Sequence, residues 1–87
     1  MTHFRHAVGR ALRMHREIRG IPLAEMAEKC GFASVSGWSR VETGSTTPTV
    51  EHVYAAAACM GIPANHILKV AEEALSSVNP DVLDPTS

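Results

Sequence analysis

The sequence predicts an all-α domain of five helices. Three observations carry this. Apolar residues recur three and four apart along most of the chain, and glycines and prolines cut it into segments of helical length. No segment alternates apolar and polar residues as a half-buried strand would, and the connections are short enough to join packed helices.

The first helix is expected from about Phe4 to Arg19, with Phe4, Val8, Ala11, Leu12 and Ile18 inward and Gly20 as its stop. Pro22 suits the first turn of a second helix, which turns Leu23, Met26 and Ala27 inward and ends at Gly31. Phe32 and Ala33 connect to "SVSGWSRVETG", residues 34–44. This stretch is a poor helix by propensity, with three serines, a mid-stretch glycine and two β-branched valines. Its spacing is nevertheless helical. Trp38 and Val41 share an apolar side, while Ser36, Arg40 and Thr43 share another. Ser34 is the expected N-cap and Gly44 the stop. After the loop "STTP", Thr49 caps a fourth helix, "VEHVYAAAACM", with Val50, Val53, Tyr54 and Ala57 on one face and Gly61 at its end. A fifth begins near Pro63 and runs to about Val78, where Asn79–Pro80 stops it. Residues 1–78 are thus expected to form the domain and residues 79–87 a flexible tail.

The 87 residues, 45% of them hydrophobic, suit one soluble domain with a modest core. No apolar run approaches the roughly 20 residues that cross a bilayer, and "MTHFRHAVGR" lacks an apolar signal core. A cytoplasmic protein without membrane attachment is expected. Cys30 and Cys59 form no CxxC pair and are expected as reduced core thiols, with a disulfide as the alternative. The net charge of −1 hides an asymmetry. Residues 1–40 hold seven of the eight Lys and Arg against Glu17, Glu25 and Glu28, a balance of +4, and residues 41–87 hold Lys69 against six acids, a balance of −5. Such a division suits a basic half that faces a polyanion.

The segment from Leu12 to Leu68 carries a linked set of elements: Arg16 four residues before Gly20, then "LAEMAEKCG", "WSRVETG", Pro48 and "GIPANHIL". In this it resembles the helix-turn-helix domain of the lambda-repressor-like (XRE-type) regulators of prokaryotes, phages and plasmids. The resemblance implies a five-helix lambda-repressor-like DNA-binding domain whose second and third helices are the helix-turn-helix. Its third helix lies in the major groove of a double-stranded DNA operator. A helix entering a groove needs small residues for close approach, hydroxyls that donate or accept, and few acids near phosphates. On that footing Val35, Ser36, Gly37, Ser39 and Arg40 are the candidate base contacts. Arg40 is aimed at guanine O6 and N7, and Gly37 clears space where contact is tight. Arg10, Arg13, Lys29, Thr43, Ser45, Thr46 and Thr47 are the candidate phosphate contacts, with Arg5 and Arg19 ranked below them. Glu42 matches a family position whose carboxylate pairs with the first-helix arginine, here Arg16.

Three departures from the family pattern stand out. Leu23 replaces the usual Gln that touches phosphate. The spacing from Gly31 to Glu42 is one residue longer, which enlarges the turn. The loop after Gly44 carries hydroxyls where the family has Lys and Arg.

Motifs of this class gain specificity as dimers on half-sites about 34 Å apart. The apolar residues Ile67, Leu68, Val70, Ala71, Ala74, Leu75 and Val78 exceed what one face of the fifth helix needs, and they are the candidate homodimer interface. No catalytic residue, metal, cofactor or small-molecule ligand is expected. His3 and His6 lack a Cys or acid at ligand spacing, His15 falls on the inward side of its helix, and no phosphate-cradling glycine loop or Cys–His pair exists. The expected function is a transcriptional regulator, a repressor on a pseudo-palindromic operator. Contact with RNA polymerase is the route by which it would activate instead. The alternative is a protein-interaction module or antitoxin whose DNA binding is secondary.

Overall fold

The computed structural model describes residues 3–78; residues 79–87, expected as a tail, lie outside the described residues. Five helices are present: α1 (His3–Ile18), α2 (Leu23–Lys29), α3 (Val35–Thr43), α4 (Val50–Met60) and α5 (Ala64–Val78). Among the described residues there is no strand, and no helix is long and apolar enough to cross a membrane.

Local chemistry fixes the helix ends. The Ser34 hydroxyl accepts from the Gly37 N–H, which starts α3 despite its poor propensity. Gly44 takes the left-handed conformation at φ 84°, so that its own N–H reaches the Val41 carbonyl and the Ser45 N–H reaches Arg40. This pair of bonds is the Schellman closure, and a side chain at Gly44 would also strike the His6 ring. At α4, Thr49 Oγ1 accepts from His52 N–H, and His52 Nδ1 accepts in return from Thr49 N–H. A histidine thus takes the place Glu or Gln usually fills in a capping box. Pro22 sits one position before its expected place. It is the N-cap of α2, extended at ψ 151°, and its carbonyl accepts from Glu25 and Met26.

The core is built around α1, which packs against α5 on one side and α3 on another, with α2 against α3 and α4 against α5 closing it. Val8, Leu12, Met26, Trp38, Val41 and Ile67 are fully buried. Phe32 packs edge-on against Trp38, with ring centroids 5.6 Å apart. Four residues expected inward are not. Phe4, Ile18, Val50 and Tyr54 lie largely exposed, because each sits at the margin of an apolar stripe wider than its helix contact. Ile67 and Ala71, expected at a dimer interface, have no exposed surface. They are spent on the protomer's own core, and a second chain cannot reach them. Val70 and Leu75 are half-buried, and Leu68 and Ala74 are exposed. The side chain of Val78 lies outside the described residues.

Candidate nucleic-acid interface

Burial of Trp38, Val41 and Glu42 determines what α3 shows to the outside. The 3.6-residue period leaves Val35, Ser36, Arg40 and Thr43 exposed, with Ser39 half-buried between them. Among the described residues, the Arg40 guanidinium makes no hydrogen bond or ion pair, so one cation stands unpartnered on a face of hydroxyls. Ser36 Oγ lies 3.1 Å from Ser34 Oγ. The Thr43 hydroxyl donates to the Arg40 carbonyl and meets Ser45 Oγ at 3.2 Å. Gly37 has a neighbour within the protein as well. A Cβ there would meet Phe32 Cδ2 at 3.2 Å, so its missing side chain makes room for the protein's own aromatic ring.

A buried polar cluster holds this face in place. Arg16 Nε lies 2.7 Å from Glu42 Oε2, and a second guanidinium nitrogen lies 3.1 Å from Oε1, a bidentate pair between α1 and α3. The Trp38 indole N–H donates to the same Oε2 at 2.7 Å, and Arg16 also donates to the Ile21 carbonyl at 2.7 Å, ahead of α2. One arginine therefore joins three elements of the fold. Gly9 sets the spacing. A Cβ at that position would lie 2.5 Å from the Val41 carbonyl oxygen, so α1 and α3 approach backbone to backbone.

The expected phosphate contacts divide. Arg13 is exposed, bridged to Glu17 at 3.0 Å, and lines a cleft of about 270 Å³ with Leu23, Ser39 and Thr43, beside the α3 face. Arg10 lines a different groove, with Val70 and Ala74 of α5, and Lys29 is exposed in the last turn of α2. Ser45, Thr46 and Thr47 are exposed, but the N–H groups of Ser45 and Thr46 both reach the Arg40 carbonyl and are not free for an anion. Arg5 compensates. Its guanidinium reaches Thr47 Oγ1 at 3.5 Å, which supplies a cation to a loop that has none of its own. Arg19 instead turns back to the His15 carbonyl at the end of α1. His15 is half-buried, and burial together with Arg19 and His66 lowers its pKa. The Trp38 N–H was legible in principle, since Trp38 and Glu42 stand four apart on one helix. The placement of Arg5 had no local signal, because it depends on how the loop folds back.

A family model described as a helix-turn-helix domain matches residues 7–67. The chain belongs to the helix-turn-helix domain family. Its helix-turn-helix, a DNA-binding element, is the α2–α3 unit held by Arg16 and Glu42. Two solved structures of the clp gene regulator ClgR from Corynebacterium glutamicum resemble the whole domain. One is 28% identical with a TM-score of 0.77, covering 83% of this chain and 92% of that one. The other is 28% identical with a TM-score of 0.78, covering 92% of this chain and 86% of that one. Comparison with curated proteins finds no match.

Proposed function

We propose that this helix-turn-helix domain is a sequence-specific transcriptional regulator that reads double-stranded DNA with the outer face of α3. The observation that carries the reading is the unpartnered Arg40 on a face of small hydroxyls, opposite a rigid buried anchor. The likeness to ClgR, itself a gene regulator, supports the same conclusion. In this reading Arg40 bonds guanine O6 and N7, worth about 1–3 kcal/mol of discrimination. Ser36 and Ser39 bond base edges or phosphate, and Val35 lies against a thymine methyl. Arg13, Lys29 and Arg5 neutralise phosphates, with Thr43 and the 45–47 hydroxyls beside them. Binding as a homodimer to a pseudo-palindromic operator would block polymerase and repress.

Fluorescence anisotropy with genomic duplex fragments tests this. Wild-type protein binds with a log–log salt slope of about −3 per protomer, since each neutralised phosphate contributes about 0.9. Arg40→Ala keeps a similar slope but discriminates less sharply among fragments. Absence of duplex binding, or an unchanged preference in the variant, overturns the reading.

A further inference from the structure

A groove of about 640 Å³ opens between α1 and α5. Its floor is apolar, with Ala11, Met14 and Ile18 of α1 beside Val70 and Ala74 of α5. Met14 is 39% exposed there and Ile18 72%, so an apolar corner is left to water. The α1 side is charged as well, through Arg10, Arg13 and Glu17. Glu17 is already engaged by Arg13 at 3.0 Å, whereas Arg10 makes no ion pair among the described residues. The groove therefore suits an occupant with an apolar centre and negative flanks. A phosphate would satisfy Arg10 but not the floor.

We propose that the occupant is the chain's own segment Asp-Val-Leu-Asp, residues 81–84. Its sequence has the required order of character: two adjacent aliphatic residues, Val82 and Leu83, with a carboxylate on either side. The aliphatic pair covers Met14, Ile18 and Ala74, and the two carboxylates meet the Arg10 and Arg13 guanidinium groups, which attract them and repel most of the alternatives.

Reach allows the same assignment. Ala74 lines the groove, and α5 ends one turn later at Val78. Residues 79–84 span up to about 20 Å when extended. The α1 side of the groove, from Ala7 to Ile18, is only about 16 Å long at 1.5 Å per residue. Pro80 disfavours further helix, which lets the chain turn back. A short tether holds the segment near its groove at an effective concentration of order mM, so a weak contact is enough. Prolines at 80 and 85 reduce the conformational freedom that docking removes. The docked segment would cover Arg13, one of the cations assigned above to phosphate. That consequence rests on the DNA-binding reading; the contact itself does not.

Methyl NOESY spectra of the full chain without DNA test the contact. Cross-peaks are expected from the Val82 and Leu83 methyls to those of Met14 and Ile18. They should vanish in the double variant Val82→Ser, Leu83→Ser and weaken in Arg10→Glu, with helical circular dichroism retained. Absent cross-peaks, or cross-peaks seen only between differently labelled chains in a mixed sample, overturn the proposal. With duplex fragments, the Val82→Ser, Leu83→Ser protein should bind about 3–5-fold more tightly than wild type, because the competing docked state is gone. Equal affinity overturns the covering of Arg13. If neither protein binds duplex, it is the DNA-binding reading that fails, and the cross-peaks alone decide the contact.

Discussion

Replacing Glu42 by alanine tests how the recognition face is held. Both partners of the ion pair are almost wholly buried, at 8% exposure for Arg16 and 5% for Glu42. The substitution removes two charge-assisted bonds, at 2.7 and 3.1 Å, and leaves the guanidinium with the Ile21 carbonyl as its one strong acceptor. It also strands the Trp38 N–H in the core. Breaking one side of a buried pair costs about 3–5 kcal/mol, and an orphaned buried donor adds about 1–3 kcal/mol before relaxation. A domain of this size is stable by about 4–13 kcal/mol, so a loss near 4 kcal/mol consumes much of it. In thermal unfolding followed by circular dichroism, the midpoint should fall by about 15–30 °C. The fluorescence of Trp38, the single tryptophan, reports the same transition from the cluster itself. The double variant Arg16→Met, Glu42→Leu removes both charges together and should be less destabilised than the two single costs combined. A midpoint for Glu42→Ala within about 3 °C of wild type would refute the reasoning.

Three further outcomes are expected. Gly9→Ala places a methyl group 2.5–2.6 Å from two backbone carbonyl oxygens of α3, and urea denaturation should show a loss of about 3 kcal/mol or more; a loss under about 1 kcal/mol would mean that the helices separate freely. His15 has its pKa lowered from the ordinary 6.5 by burial, then Arg19 and His66, so below that pH the unfolded chain takes up the proton first and stability falls as pH drops. Melting midpoints measured from pH 7 to about 5 should therefore decline less steeply for His15→Gln than for wild type, and parallel curves would show that His15 contributes nothing. Burial, with a smaller contribution from Cys59, pushes the Cys30 thiol up to about 11. With about one thiol in a thousand ionised near pH 8, Cys30 should react with a disulfide reagent only as the protein unfolds, and rapid modification in the folded state would count against that environment.

Much of the fold was legible because it is written in local chemistry. Ser34, Gly44, Thr49 and Gly61 announce helix ends through bonds made within a few residues, and all four act there. Trp38 and Val41 are legible as core from their three-residue spacing. Periodicity fails where an apolar stripe is wider than the contact it serves. It places Phe4, Ile18, Val50 and Tyr54 inward, while of the residues expected there on α1 and α4 the neighbouring helices cover Val8, Ala11, Leu12, Val53 and Ala57. By the same limit Ile67 and Ala71 look like surplus on α5, although the core uses them. Roles set by long-range packing leave almost no trace in one sequence. Gly9 looks like a weak point inside α1 until α3 lies against it, and Arg5 gains its place only when the loop carrying Thr47 returns to α1.

Selection of bound sequences from a random duplex pool, run in parallel with wild type and Arg40→Ala, tests the reading of DNA by α3 most directly. Wild-type protein should enrich a consensus with a guanine in each half-site, and the variant should lose its preference at that base while keeping the other positions. An identical consensus from both proteins, or none from wild type, would contradict a base-reading role for this face.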